Sequence, residues 1–106
     1  MTHMTFSEQV YVLCRKIPRG RVTTYKILAE KLGIKGYQAI GQALRCNPYA
    51  SDVPCHRVIA SNGSIGGFKG KREGKEIDEK VRLLKGESVL VIQGEVDLHQ
   101  YLYSFS

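Results

Sequence analysis

Two short stretches of helical periodicity, joined by one glycine-containing turn, constrain the fold of this chain more than any other feature. Tyr25, Leu28, Ala29 and Leu32 recur at helical spacing behind Thr23 and Thr24, whose hydroxyls suit an N-cap, and Gly33 can close that helix with a left-handed residue. A second stretch begins near Tyr37. It puts Ile40, Ala43 and Leu44 on one face and the small or polar Gln38, Ala39, Gly41, Gln42 and Arg45 elsewhere. It stops at Asn47-Pro48, because the residue before a proline is pushed out of helical space. Two short helices across such a turn, the second rich in small residues, predict a helix-turn-helix, an arrangement that serves DNA binding but also occurs as a plain helix pair in many enzymes.

The rest of the chain fits around that unit. Phe6, Val10, Leu13, Cys14 and Ile17 predict a first helix over Phe6 to Lys16, started by a capping box of Thr5 and Glu8 and ended by Pro18-Arg19-Gly20. Ile77, Val81 and Leu84 form the apolar stripe of another helix that ends near Gly86. Val89 to Ile92, Gln93-Gly94 and Val96 to Leu98 predict a short hairpin, and the aromatic tail Tyr101 to Phe105 is expected to pack on the core. The expected fold class is mostly α with small β elements. At 106 residues the chain is expected to form one domain over residues 1–106, large enough to bury a core without staples.

No apolar run approaches a membrane span and no signal-peptide pattern opens the chain, so an intracellular protein is expected: cytoplasmic, or nuclear in a eukaryote. Cys14, Cys46 and Cys55 are odd in number and not closely paired, which fits a reducing compartment. No metal is expected, since there is no C-x-x-C pair and His3 and His99 sit near the ends. No cofactor is expected either. The glycines at 63, 66, 67, 70 and 74 match neither G-x-G-x-x-G nor the P-loop. They can build a tight loop along one side of a pocket, or a plain surface loop.

Charge is uneven along the chain. Residues 1–75 carry thirteen Lys/Arg against four Asp/Glu, and residues 76–106 carry three against six. A cationic surface around the motif-bearing part suits a polyanion such as nucleic acid, while lysines kept for solubility account for a run such as Lys69 to Lys75 equally simply.

Chemistry concentrates in Pro54-Cys55-His56-Arg57, which sets a thiol beside an imidazole on a proline-stiffened backbone. A cysteine attacks as thiolate and needs a base or a positive environment to ionise; His56 is the obvious candidate, and a small buried cysteine with a chance neighbour is the bland one. In an extended segment adjacent side chains point apart, so sequence neighbourhood alone does not guarantee contact between Cys55 and His56; a bridging water would supply it.

With Asn47-Pro48 upstream, Val58-Ile59 following and Gly63-Ser64-Ile65-Gly66-Gly67-Phe68 downstream, this segment resembles the active-site signature of the O6-alkylguanine-DNA alkyltransferases, also called methylated-DNA–protein-cysteine methyltransferases. The likeness runs from about Phe6 to about Glu87 and implies the family's C-terminal, winged-helix-like catalytic domain. The N-terminal domain that the family usually carries is expected to be absent.

The resemblance implies direct repair of alkylated guanine in double-stranded DNA: the damaged nucleotide is flipped out of the minor-groove side, and its alkyl group passes irreversibly to Cys55. His56 would act through water, oriented by Glu87, which read alone is an ordinary glutamate after a helix end. Asn47 would hold the turn before the site, or simply end a helix before Pro48. Tyr25 would donate a proton to the departing base and displace the backbone phosphate. DNA contacts are implied for Tyr25, Tyr37, Gln38, Ala39, Gly41, Arg45, Arg57 and Ser61. Pocket contacts are implied for Leu44, Val58, Phe68 and Lys69, with the carbonyls of Cys55 and Val58 reading the guanine amine. A monomer is expected.

Two positions depart from the family pattern. Gln38 stands where many members carry an arginine finger, and Phe68 where many carry a tyrosine. Two alternatives accompany the enzyme. One is a non-enzymatic binder of alkylated DNA like the alkyltransferase-like proteins, which usually replace the nucleophile with tryptophan, whereas this chain has no Trp and keeps Cys55. The other is a helix-turn-helix regulator in which Cys55 is a sensor or merely structural.

Overall fold

The computed structural model describes residues 4–49, 52–66 and 74–105. Helix α1, Phe6–Arg15, begins with the expected capping box: the Thr5 amide donates to Glu8 Oε1 at 2.8 Å, and the Glu8 amide to the Thr5 hydroxyl at 3.1 Å. Helix α2, Tyr25–Lys31, is capped by Thr24, whose hydroxyl accepts from the Ile27 amide at 3.1 Å, and is followed by Gly33 at φ +72°. Helix α3, Gln38–Arg45, completes the helix-turn-helix and has no side-chain cap at Tyr37. Its apolar residues Ile40, Ala43 and Leu44 are buried with Val10, Tyr11 and Cys14 of α1, Leu28 and Ala29 of α2, and Val53 and Val58, in the main core. The Tyr11 hydroxyl donates to the Ala43 carbonyl at 2.7 Å, which fixes α1 across α3.

A second apolar cluster, of Val22, Ile59, Ile65, Leu84, Val89 and Val96, lies under helix α4, Lys75–Gly86. Two ladders of two residues each connect the parts. β1, Thr23–Thr24, pairs in parallel with β2, Val58–Ile59, with Thr23 beside Val58 and Thr24 beside Ile59. β3, Val91–Ile92, pairs antiparallel with β4, Glu95–Val96, across a turn in which Gln93 and Gly94 both have positive φ, as a tight hairpin requires. The tail is tied to the body through Val22, whose amide donates to the Tyr101 carbonyl at 2.9 Å and whose carbonyl accepts from the Tyr103 amide at 2.7 Å. Tyr103 and Phe105 meet each other edge to face and pack against the main core, as expected of the tail.

Two expectations change. The hairpin strands are shorter than the apolar pattern suggested, because Asp97 accepts from the His99 amide at 3.0 Å and caps a short helix, α5, Leu98–Tyr101. The Cys-His segment is not extended: Cys55–Arg57 is one turn of 3₁₀-helix, closed by the Arg57 amide on the Pro54 carbonyl at 2.9 Å, and the strand begins only at Val58.

Candidate active site

The turn that carries Cys55 is built from both sides. Upstream, Asn47 spans the loop that follows α3: its side-chain amide donates to the Val53 carbonyl at 3.3 Å, and its oxygen accepts from the Tyr49 amide at 2.8 Å. Asn47 thus braces the approach to Pro54 rather than only ending a helix. The Cys55 amide donates to the Val53 carbonyl at 2.8 Å, and downstream β2 locks onto β1. Cys55 is half-buried against the main core, in the same set of packed side chains as Tyr25. The other thiols are different. Cys14 is fully buried, and burial, with a smaller contribution from Cys55, pushes its thiol up to about 12; Cys46 is exposed at the end of α3.

His56 turns toward the C-terminus of α4. Its Nε2 lies 2.8 Å from Glu87 Oε2. Burial alone would raise the Glu87 carboxyl, but hydrogen bonds from Arg57 and then His56, with their charges, outweigh it and hold the group at about 2. A carboxylate can only accept, so Nε2 carries a proton, and in the neutral ring the free lone pair belongs to Nδ1. For His56 itself burial lowers the pKa first; Glu87 opposes that, and the charges of Arg57 and Lys80 add to it, leaving the imidazole below its ordinary value.

Arg57, expected to contact DNA, faces inward instead. Its Nε donates to Glu87 Oε1 at 2.8 Å, one terminal nitrogen to Oε2 at 2.7 Å, and the other to the Ile17 carbonyl at 2.8 Å. Side-chain exposure is 12% for His56, 16% for Arg57 and 9% for Glu87, so the three groups form one shielded cluster. All three guanidinium nitrogens are thus engaged within the protein, and the edge that pairs with Glu87 is closed to a phosphate.

Lys80 is the residue that sequence reasoning missed. It lies in the middle of α4 with no solvent exposure, and its Nζ donates to the carbonyls of Val58, at 2.8 Å, and Ile65. Burial pulls its ammonium down to about 7 against an opposing pull from Cys55. The signal was present: Lys80 falls between Ile77 and Leu84 on the stripe that faces the core.

The remaining expected residues separate into surface and interior. Tyr37, Gln38, Ala39 and Arg45 are exposed on α3, and a Cβ built at Gly41 would meet nothing within 4 Å, so packing does not demand that glycine. Ser61 is exposed in the turn after β2. Leu44 and Val58, expected to line a pocket, are buried core side chains, and the Val58 carbonyl already accepts from Lys80. Tyr25 lies against the start of the glycine-rich loop, where a Cβ at Gly66 would stand 3.6 Å from its ring. Phe68 and Lys69 lie outside the described residues. Among the described residues no cluster of His, Cys, Asp and Glu could hold a metal ion, and no helix is long and apolar enough to cross a membrane.

Residues 5–89 match the family described as 6-O-methylguanine DNA methyltransferase, DNA binding domain. The chain is 38% identical over 96 residues to a bifunctional methyltransferase/endonuclease of Picrophilus torridus, covering 90% of this chain and 30% of the relative. It is 51% identical over 71 residues to a methylated-DNA–protein-cysteine methyltransferase of Thermococcus sibiricus, covering 66% of this chain and 39% of the relative. The chain thus spans less than half the length of these curated relatives. Among solved structures, S. pombe Atl1 in complex with damaged DNA containing O6-carboxymethylguanine superposes with a TM-score of 0.81 at 29% identity, over 97% of this chain and 98% of that one.

Proposed function

This chain belongs to the 6-O-methylguanine DNA methyltransferase family, and from that premise we propose that it repairs O6-alkylguanine in double-stranded DNA by moving the alkyl group onto Cys55. The observation that carries the reading is the half-buried Cys55 on a braced turn, next to an imidazole whose far nitrogen is tied to a carboxylate. In the proposed reaction the thiol proton passes through a water molecule to His56 Nδ1. The thiolate sulfur then bonds to the alkyl carbon while the carbon–O6 bond breaks. The electron pair stays on guanine, which takes a proton from the Tyr25 hydroxyl. The product is a thioether, which is a poor leaving group, so each protein molecule acts once.

Presentation of the base falls to α3 in this reading. Its outer face offers Tyr37, Gln38, Ala39 and Arg45, with open space over Gly41. Small residues let a helix approach the walls of a narrow minor groove, and a side chain inserted into the stack can hold the place of a flipped nucleotide. Binding of alkylated DNA without transfer is the second reading, favoured by the likeness to S. pombe Atl1 over almost the whole chain; the retained Cys55 speaks for chemistry.

Intact-protein mass after exposure to an O6-methylguanine oligonucleotide separates the two. Transfer adds one methylene's mass per protein, all of it on the Cys55 peptide, and further substrate adds nothing. DNA bound with the protein mass unchanged, or a methyl mapped to Cys14 or Cys46, overturns the transfer reading.

A further inference from the structure

The clamp between Arg57 and Glu87 is more than a brace for the fold. Glu87 sits at the end of α4 and receives the forked guanidinium on both oxygens while one of those oxygens also holds His56 Nε2. One carboxylate therefore serves two cations, or one cation and one neutral ring. Which of these it is decides whether His56 can accept a proton, because an imidazolium already carries hydrogen on Nδ1.

We propose that Arg57 is a positioning residue for alkyl transfer, holding His56 in its neutral, proton-accepting form by neutralising the carboxylate that the two side chains share. This rests on the transfer reading given above. The charged groups acting on His56 are Glu87 from the end of α4, Lys80 from the middle of the same helix, and Arg57 on its own turn. Only Glu87 among these cations and anions draws a proton onto His56; Arg57 and Lys80 oppose it. Arg57 does so at contact distance to the carboxylate. Its third nitrogen, on the Ile17 carbonyl, ties it to the segment after α1 and holds the fork in place against Glu87.

Without the guanidinium, Glu87 keeps a single polar side-chain partner, and the arrangement becomes an ordinary shielded carboxylate–histidine pair. Such a pair favours the imidazolium, because an opposite charge at contact raises the pKa of a histidine. The His56 midpoint would then rise against the lowering that burial still supplies, and more of the protein would carry its base protonated.

The test uses Arg57→Gln and Arg57→Lys, with two measurements on each. The His56 imidazole is titrated by NMR, its signal assigned by loss in His56→Phe. Single-turnover alkyl transfer from free O6-benzylguanine is followed from about pH 5.5 to about pH 9, with no DNA present to confuse a lost contact with a lost base. Arg57→Gln is expected to raise the His56 midpoint by about one pH unit or more, and the acid limb of the rate profile by the same amount. Arg57→Lys retains the charge and is expected to keep both midpoints near wild type, with a slower plateau from the lost fork. An unchanged or lowered His56 midpoint in Arg57→Gln overturns the proposal, as does a midpoint in Arg57→Lys raised as far as in the glutamine variant. Should Arg57→Gln fail to fold, Arg57→Met fills the same stem volume and takes its place, and the lysine variant remains decisive by itself. Wild-type protein that transfers nothing at any pH, while His56 still shifts as described, removes the transfer reading and leaves the electrostatic one standing.

Discussion

Lys80 Nζ donates to the Val58 carbonyl at 2.8 Å from a position with no solvent exposure. The strand that follows the candidate nucleophile is thereby pinned to α4 by an ionisable group in the interior. Burying an ammonium costs free energy, and the protein has accepted that cost where one side chain of the helix reaches both β2 and the loop leading to Gly66.

That cost should be readable as a pH dependence of stability. Lys80 titrates near 7 in the folded state against 10.5 for an ordinary lysine. Between those values the unfolded chain binds the extra proton, so this group makes stability climb as pH rises from about 7 toward about 10.5. Lys80→Met is expected to remove roughly 3 kcal/mol of the gain between about pH 7 and about pH 9.5, measured as the difference in urea unfolding free energy between wild type and variant at the two pH values. The variant is also expected to be weaker at the upper pH by about 1–3 kcal/mol, because two interior carbonyls lose a donor. Equal pH slopes in the two proteins would mean that Lys80 is charged in the fold at all these pH values.

Glu87 acts with the same sign in a lower pH window. Its folded value of about 2 lies below the ordinary 4.5, so its contribution is complete above about 4.5 and disappears as pH falls through about 2. Glu87→Gln should flatten that part of the acid-unfolding curve. It should also slow alkyl transfer by about ten- to a thousandfold, the size of lost orientation and base assistance, while DNA affinity changes little. Loss of binding and transfer in equal measure would instead report a misfolded protein.

Gln38 stands exposed at the first position of α3. If it fills the space left by a flipped nucleotide, Gln38→Ala should slow transfer from duplex DNA far more than from free O6-benzylguanine, since only the duplex has to meet the few kcal/mol of lost stacking and pairing. Gln38→Arg should preserve or raise duplex activity by adding a charge near the phosphates. Duplex rates left untouched by the alanine would make Gln38 an ordinary polar residue on a helix surface.

Gly63 has φ +93°, and a Cβ there would stand 2.8 Å from the Val96 carbonyl oxygen, whereas Gly33 has φ +72° with nothing within 4 Å. Both positions penalise a side chain through the backbone, by about 1 kcal/mol; only Gly63 adds a collision with fixed backbone. Thermal or urea unfolding should therefore show Gly63→Ala losing clearly more than Gly33→Ala. The reverse order would show that the hairpin moves aside at little cost.

Helices were legible in the sequence wherever two kinds of signal agreed. At α1 the apolar spacing and the Thr5–Glu8 box pointed to the same start, and at α2 Thr24 and Gly33 marked both ends. The parallel pairing of Thr23–Thr24 with Val58–Ile59 was not legible, because two residues show no period and their partners are remote in the chain. The 3₁₀ turn at Cys55 escaped for a similar reason: one turn closed by a single backbone bond leaves no pattern. His56 and Glu87 were linked only through family resemblance, since nothing in a lone glutamate after a helix announces its partner. For Arg57 the resemblance implied a DNA contact; sequence gives its charge but not its direction, which is set by the carboxylate brought in by α4. Lys80 broke an apolar stripe that was otherwise read correctly; a charge in that stripe was the clue to an interior role.

The bridge at Val22 has a consequence for the timing of synthesis. Val22 takes its backbone partners from Tyr101 and Tyr103, and the adjoining Thr23–Thr24 takes its partners from Val58–Ile59. As the chain leaves the ribosome, the segment that leads into α2 must wait for the aromatic tail before its edge at Val22 is closed. A half-made chain can form its first helices and pair Thr23–Thr24 with Val58–Ile59, but its edge at Val22 stays open. Under the transfer proposed above, the single-use thiol of Cys55 therefore sits in a closed body only once translation has passed Tyr103.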